Sequence, residues 1–185
     1  MNAAMATSAG EAMRLQSLAS FDVLDTPPQA MFDQVVQVAS LLCGTSIGLV
    51  SLVDRDRLYF MARVGVDVDQ VPSERSLCGH AILTPQTMLE VHDASSDPRF
   101  ADAPLVTGPP GIRFYAGVPL VSTEGEPIGT LCVIDRQPRT LNESQRVALA
   151  ALAEITMELL EGRRREMLLQ QRLAVSEVIG NQQAQ

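Results

Sequence analysis

The 185-residue chain is 46% hydrophobic and 19% charged, a globular composition that excludes wholesale disorder and suits one domain with an appended helix. Its 22 acidic residues against 14 basic ones, all of them arginine, give a net charge of −8. That balance excludes a sequence-independent nucleic-acid binder and a polybasic membrane-surface protein. Three cysteines (Cys43, Cys78, Cys132) with no CxxC pair exclude a disulfide framework and a structural zinc site, so no metal is expected. With no signal-type N-terminus and no apolar run of membrane-spanning length, a cytoplasmic protein is expected.

Residues 1–10 are small and polar and are expected to be disordered. A helical stretch from Glu11 to Phe21 follows, and Asp25-Thr26-Pro27-Pro28 punctuates it. Phe32, Val35, Val36, Ala39, Leu42 and Cys43 then recur at helical spacing, with Gly44 placed as a C-terminal cap and Cys43 on the buried face. Ser46 to Val53 is apolar on both alternating sets, the pattern of a central strand covered on both sides. Asp54-Arg55-Asp56 turns it into a hairpin with Arg57 to Val64.

From Gly65 to Gly111 the chain reads as largely irregular. It holds a glycine-interrupted helix or tight loop at Ser76 to Ile82, a short strand at Met88 to Val91 and a short helix capped by Asp97 with Pro98 at N1. Arg113 to Val121 and Ile128 to Ile134 form a second hairpin, in which Pro119 requires an edge or a bulge. Asn142 and Gln145 have the spacing of a capping box and open a long helix to about Val178, roughly 50 to 60 Å at the usual rise. Leu152, Ile155, Leu159, Leu169 and Leu173 mark a seam on that helix, interrupted at Gly162 and Glu166, that suits a coiled-coil homodimer. Arg163-Arg164-Arg165, flanked by Glu161 and Glu166, reads as a solvated face.

Two hairpins between helices predict an α+β fold with a single central antiparallel sheet of five to six strands. The terminal helices cover one face and the Gly65–Gly111 segment forms a lid over the other, leaving room between lid and sheet for a small ligand.

Ser76-Leu77-Cys78-Gly79-His80, Asp93, Asp97-Pro98-Arg99-Phe100, Gly111 to Leu120 and Gly129 to Asp135, taken in order, resemble a GAF domain. The subtype is similar to those at the N-terminus of bacterial sensor histidine kinases and diguanylate cyclases. The resemblance covers roughly Arg14 to Leu160 and implies a GAF domain over 11–160, with 161–185 as a helical extension that frays at its end. Cyclic-nucleotide-binding members carry an Asn-Lys-Phe-Asp-Glu signature, which a chain without lysine cannot match. Phytochrome members anchor a bilin through Cys followed directly by His; here Gly79 intervenes, and no covalent bilin is expected. Leu77-Cys78-Gly79 resembles the first-cysteine stretch of free methionine-(R)-sulfoxide reductase, but its reactive cysteine falls where this chain has Ser95, Ser96 and Asp97.

The candidate pocket comprises Phe60, Cys78, His80, Asp93, Arg113 and Tyr115. For Cys78 and His80 two readings stand: a ligand contact or redox-sensing thiol, and a buried thiol beside a histidine bonded to backbone. Arg113 either pairs with Asp93 or Asp97 or receives an anionic ligand group. No hydrolase or transferase constellation is present, so no enzyme is expected.

The functional expectation is a sensory domain that binds a small ligand or senses redox state. It relays through its C-terminal helix to a histidine kinase or diguanylate cyclase output module, or to a docking partner. Two alternatives stand beside it: an interaction module whose cavity is filled by Phe60, Met61, Met88 and Phe114, and the sulfoxide reductase.

Overall fold

The computed structural model describes residues 8–183, and the side chains of residues 9–176. Most of the N-terminal stretch expected to be disordered, and the last two residues, lie outside this range. The elements in chain order are α1 (Ser8–Ser20), α2 (Ala30–Cys43), β1 (Ile47–Val53), β2 (Arg57–Val64), β3 (Gln70–Pro72), α3 (Leu77–Ala81), β4 (Leu89–Val91), α4 (Pro104–Thr107), β5 (Phe114–Val121), β6 (Pro127–Asp135) and α5 (Glu143–Gln183).

The six strands form one antiparallel sheet in the order β3-β2-β1-β6-β5-β4. β1 is central and wholly buried, because its two alternating sets of side chains enter two different cores. Val50 and Leu52 join Leu131 and Val133 of β6 under α1, α2 and α5, with Phe32, Val36, Leu149 and Leu160 from the helices. Ile47, Leu49 and Val53 join Phe60, Tyr115, Cys132 and Ile134 under the lid, with Leu77, Cys78, Phe100 and Val106 from above.

The helix ends follow the local chemistry. Gly44 takes φ 65°, and its N–H and that of Thr45 close onto the carbonyls of Leu41 and Ser40, terminating α2 in the left-handed turn that glycine favours. Asn142 and Gln145 satisfy each other's backbone N–H at 2.9 Å, the reciprocal cap their spacing predicts.

Three readings are corrected. The Gly65–Gly111 segment does not lie wholly over the sheet: β3 and β4 extend its two edges, and α3, α4 and the intervening loops form the cover. β3, three residues long and held against β2, has no periodicity of its own to reveal it. After Asp97 the chain makes a turn, in which Phe100 and Ala101 bond the Asp97 carbonyl; the short helix starts later, with Pro104 in its first turn. Arg163 and Arg164 are not solvated. Arg164 ion-pairs with Glu161 and Glu124 and stacks 4.4 Å over Phe21, while Arg163 donates to the Asp22 carbonyl. α5 runs past the end of α1 and the α1–α2 connection, which converts the basic run into a clamp. Pro119 lies two residues beyond the last rung between β4 and β5, on an edge as expected.

Candidate functional site

Alternation along the strands directs Ser51 of β1, Tyr115 of β5, and Thr130 and Cys132 of β6 toward the lid. Register makes them neighbours: Ser51 pairs with Thr130, and Cys132 lies between Leu49 and Gly117. Gly117 is required there, since a Cβ on it would overlap the Tyr115 phenol ring and oxygen; the ring lies flat along the strand over the glycine. Above the sheet, Ser76 caps α3 by accepting from the Gly79 N–H at 3.0 Å, which turns Leu77, Cys78 and Ala81 inward and His80 outward.

The result is a buried polar nest. The Cys78 and Cys132 sulfurs are 3.9 Å apart, and the Tyr115 hydroxyl donates to Cys78 at 3.5 Å. Cys78 is 3% exposed, Cys132 and Tyr115 not at all. The Ser51 and Thr130 hydroxyls are buried beside this pair without a conventional hydrogen-bond partner; both favour a thiolate on Cys78, and Thr130 favours one on Cys132 as well.

The two thiols are electrostatically unlike. A hydrogen bond from Cys132, supported by Thr130, Tyr115 and Ser51, lowers the Cys78 pKa against the opposing cost of burial. Cys132, the donor to that sulfur and equally buried, is pushed well up, and burial keeps the Tyr115 phenol protonated. Cys43, on α2 in the other core, is pushed up to about 11 by burial and the Glu90 carboxylate.

The six candidate residues separate into two groups. Phe60, Cys78 and Tyr115 meet in the lid-side core. His80 instead sits edge-on to Phe100, 5.1 Å between ring centres, on the rim of a cavity of about 440 Å³ that Arg14, Arg55, Arg75 and Arg99 also line. Asp93 is half-buried and holds Ser95 through the Ser95 N–H at 3.0 Å and hydroxyl at 2.6 Å. Arg113 donates to the carbonyls of Val106 and Ile112, both at 3.0 Å, and among the described residues no carboxylate pairs with it. The expected partner Asp97 is taken by Arg99. Arg113 precedes β5 rather than belonging to it, so its side chain folds back over the end of α4.

Met61, Met88 and Phe114, expected to fill the lid-side interior, pack on the helix side. Of the seam on α5, Leu152 and Leu159 partly pack against their own domain, while Ile155, Leu169 and Leu173 are exposed. Cys132, Thr130 and Ser51 were absent from the candidates; their signal is polar or thiol residues punctuating strands otherwise apolar on both faces.

The edge strand β4 and the lid loop that leaves it are stitched to the start of α5. Glu90 of β4 accepts from the Leu141 N–H at 3.0 Å and from Arg146 Nε at 2.8 Å, and the Arg139 N–H donates to the His92 carbonyl at 3.1 Å. Arg139 in turn holds Asp135, the last residue of β6, at 2.7 Å. Burial pushes the Glu90 carboxyl up, but Arg146, the Leu141 N–H and His92 outweigh it and leave it below the ordinary range. A carboxyl lowered on folding contributes stability that is complete above its unfolded value and is lost as pH falls through its folded one. Glu90→Gln should therefore flatten the acid limb of the stability–pH profile below pH 4.5, as read by urea titration.

The chain matches the GAF domain family over residues 27–158 and belongs to it. It is 44% identical over 117 residues to the cyclic di-GMP phosphodiesterase PA2567 of Pseudomonas aeruginosa, a match covering 63% of this chain and 20% of that protein. The chain thus spans about a fifth of that relative's length. Among solved structures it resembles free methionine-R-sulfoxide reductase from Neisseria meningitidis (TM-score 0.61, 22% identity, 84% of this chain and 92% of that one). It also resembles the PixJ GAF domain of Thermosynechococcus elongatus (TM-score 0.61, 16% identity, 88% and 94%). Both likenesses are of fold. Among the described residues no helix is long and apolar enough to cross a membrane.

Proposed function

We propose that this GAF domain is a cytoplasmic regulatory module that passes the state of its lid through α5 to a signalling output module. The observation that carries this reading is the stitch to the helix where the lid joins the sheet: Glu90 in the edge strand β4 and His92 in the lid loop that follows it bind the backbone and side chains of residues 139–146. A shift of the lid then reaches the first turns of α5 without crossing the core. α5 continues for 41 residues, about 60 Å, well beyond the sheet it covers. The relative named as a cyclic di-GMP phosphodiesterase supports an output of the nucleotide second-messenger class, beside the kinase and cyclase modules that the sequence suggests. Transmission requires two states differing in lid position, and an input acts only through its preference for one of them.

Hydrogen exchange tests the relay. Glu90→Ala should raise amide exchange at least tenfold across residues 141–150, with exchange in β1 unchanged. Unchanged exchange in that segment would remove the proposed link. The exposed Ile155, Leu169 and Leu173 favour a second copy packed along α5. Leu169→Glu with Leu173→Glu should convert a dimer to a monomer in sedimentation velocity; a wild-type chain that sediments as a monomer at micromolar concentration counts against that packing.

A second reading, capture of a small anionic ligand, is favoured by the arginine-lined cavity beside His80. Native mass spectrometry of protein from its own host checks it, since a retained anion that Arg55→Glu abolishes is the expected result.

A further inference from the structure

The lid-side core holds two thiols in contact, surrounded by hydroxyls that the packing does not otherwise explain. In a purely structural core, the Ser51 and Thr130 side chains would be valine-like fillers whose buried oxygens cost stability. Their oxygens surround the two sulfurs instead, as does the Tyr115 hydroxyl: all three favour a thiolate on Cys78, and Thr130 and Tyr115 also act on Cys132. Such a set of donors has its strongest partner in a negative charge on Cys78.

We propose that Cys78 and Cys132 form a reversible dithiol–disulfide switch driven by hydroperoxides. This deepens the regulatory reading above by naming its input, and rests on that reading for its effect on α5. The sulfurs stand 3.9 Å apart, and a disulfide needs about 2.05 Å, so closure asks for an approach of about 2 Å. α3 supplies it, being a five-residue helix between loops, whereas β6 is fixed in the sheet. Ser76 and Gly79, on either side of Cys78 in sequence, line the cavity of about 440 Å³ on the outer side of α3, which offers a peroxide-sized molecule a short approach.

The chemistry divides between the two cysteines. The Cys78 thiolate attacks a peroxide oxygen, the O–O bond breaks, and Cys78 becomes a sulfenic acid with release of hydroxide. The Cys132 sulfur then attacks the sulfenic sulfur; the S–S bond forms, the S–O bond breaks, and the departing hydroxide leaves as water with the Cys132 proton. In sum, two thiols and one hydrogen peroxide give one disulfide and two waters. A dithiol reductant reverses it by exchange. Cys78 is suited to the first step by its lowered pKa and Cys132 to the second by its proximity. Closure draws α3 onto β6, whose terminal Asp135 is bonded to Arg139 ahead of α5.

The test treats the full chain with one to ten equivalents of hydrogen peroxide, quenches it, alkylates it in denaturant and digests it with trypsin. The expected result is a mass loss of 2 Da, two fewer alkylated thiols, and a linked pair of peptides, Ser76–Arg99 with Phe114–Arg136, that dithiothreitol separates. Cys43 should stay alkylated throughout. In Cys132→Ser the first step should stop at a sulfenic acid on Cys78, trapped by dimedone. Three fully alkylated thiols after peroxide, or a linkage that involves Cys43, would overturn the proposal using the wild-type chain alone. Should the disulfide form while exchange in α5 stays unchanged, the switch stands and the relay falls. Should no disulfide form, the switch falls whatever Glu90→Ala shows.

Discussion

Replacing Arg164 by methionine should lower the unfolding free energy by about 3 kcal/mol, the scale expected when one partner of a buried ion pair is removed. Arg164 is 12% exposed and Glu161 5%, so the carboxylate left behind has little solvent to turn to. Among the described residues its one remaining bond is from the Thr123 N–H, at 3.0 Å. The substitution also removes the stacking on Phe21 and the bonds to Ser20 and Thr123, which join α5 to α1 and to the β5–β6 turn. Urea titration measures the loss, and Arg165→Met provides the comparison. Arg165 is 62% exposed and lies 3.9 Å from Glu158, so its removal should cost under about 0.5 kcal/mol. The double variant Arg164→Met with Glu161→Gln should recover part of the loss, because it leaves no buried charge alone. Equal effects at positions 164 and 165 would refute the clamp.

A similar loss, about 3 kcal/mol, is expected for Gly117→Ala, through overpacking. The added methyl occupies the space of the Tyr115 ring, and that ring is fully buried. Displacing it also withdraws the hydroxyl from Cys78. The chain has no tryptophan and two tyrosines, so near-ultraviolet dichroism reports the displacement against Tyr59 alone. Gly125→Ala separates this steric effect from backbone strain. Gly125 has φ +86° and open space around it, so the alanine there should cost about 1 kcal/mol and leave the tyrosine spectrum intact. A Gly117→Ala protein with unchanged stability and dichroism would mean that the phenol does not lie where it is described.

The elements legible in the sequence are those written in local periodicity. α2 and its Gly44 cap, the doubly buried β1, both hairpins and the Asn142–Gln145 cap each depend on residues within a few positions of one another. The GAF segments placed the chain in its family for the same reason, since they recur as short runs in a set order. What sequence reading missed depends on long-range register. Cys78 meets Cys132 because α3 settles over β6 from 54 positions away, and no spacing rule connects a lid helix to a central strand. Arg164 looked solvated beside its acidic neighbours; its burial follows from the path of α5 across Phe21, and Phe21 lies at the other end of the chain. Charge logic offered Arg113 a carboxylate or an anionic ligand group, yet it donates to the carbonyls of Val106, in a four-residue helix, and of Ile112.

The brevity of β3 and β4 has a consequence for how copies of this protein can meet. The outermost strands, β3 and β4, each offer an incoming strand only three residues to pair with. One border ends in Pro72, and the stretch of β5 left open beyond β4 contains Pro119, neither of which has an N–H to donate. The outermost strands are thus poorly equipped to template the sheet's extension, whereas on the helical surface Leu41, Ile155, Leu169 and Leu173 stand in solvent.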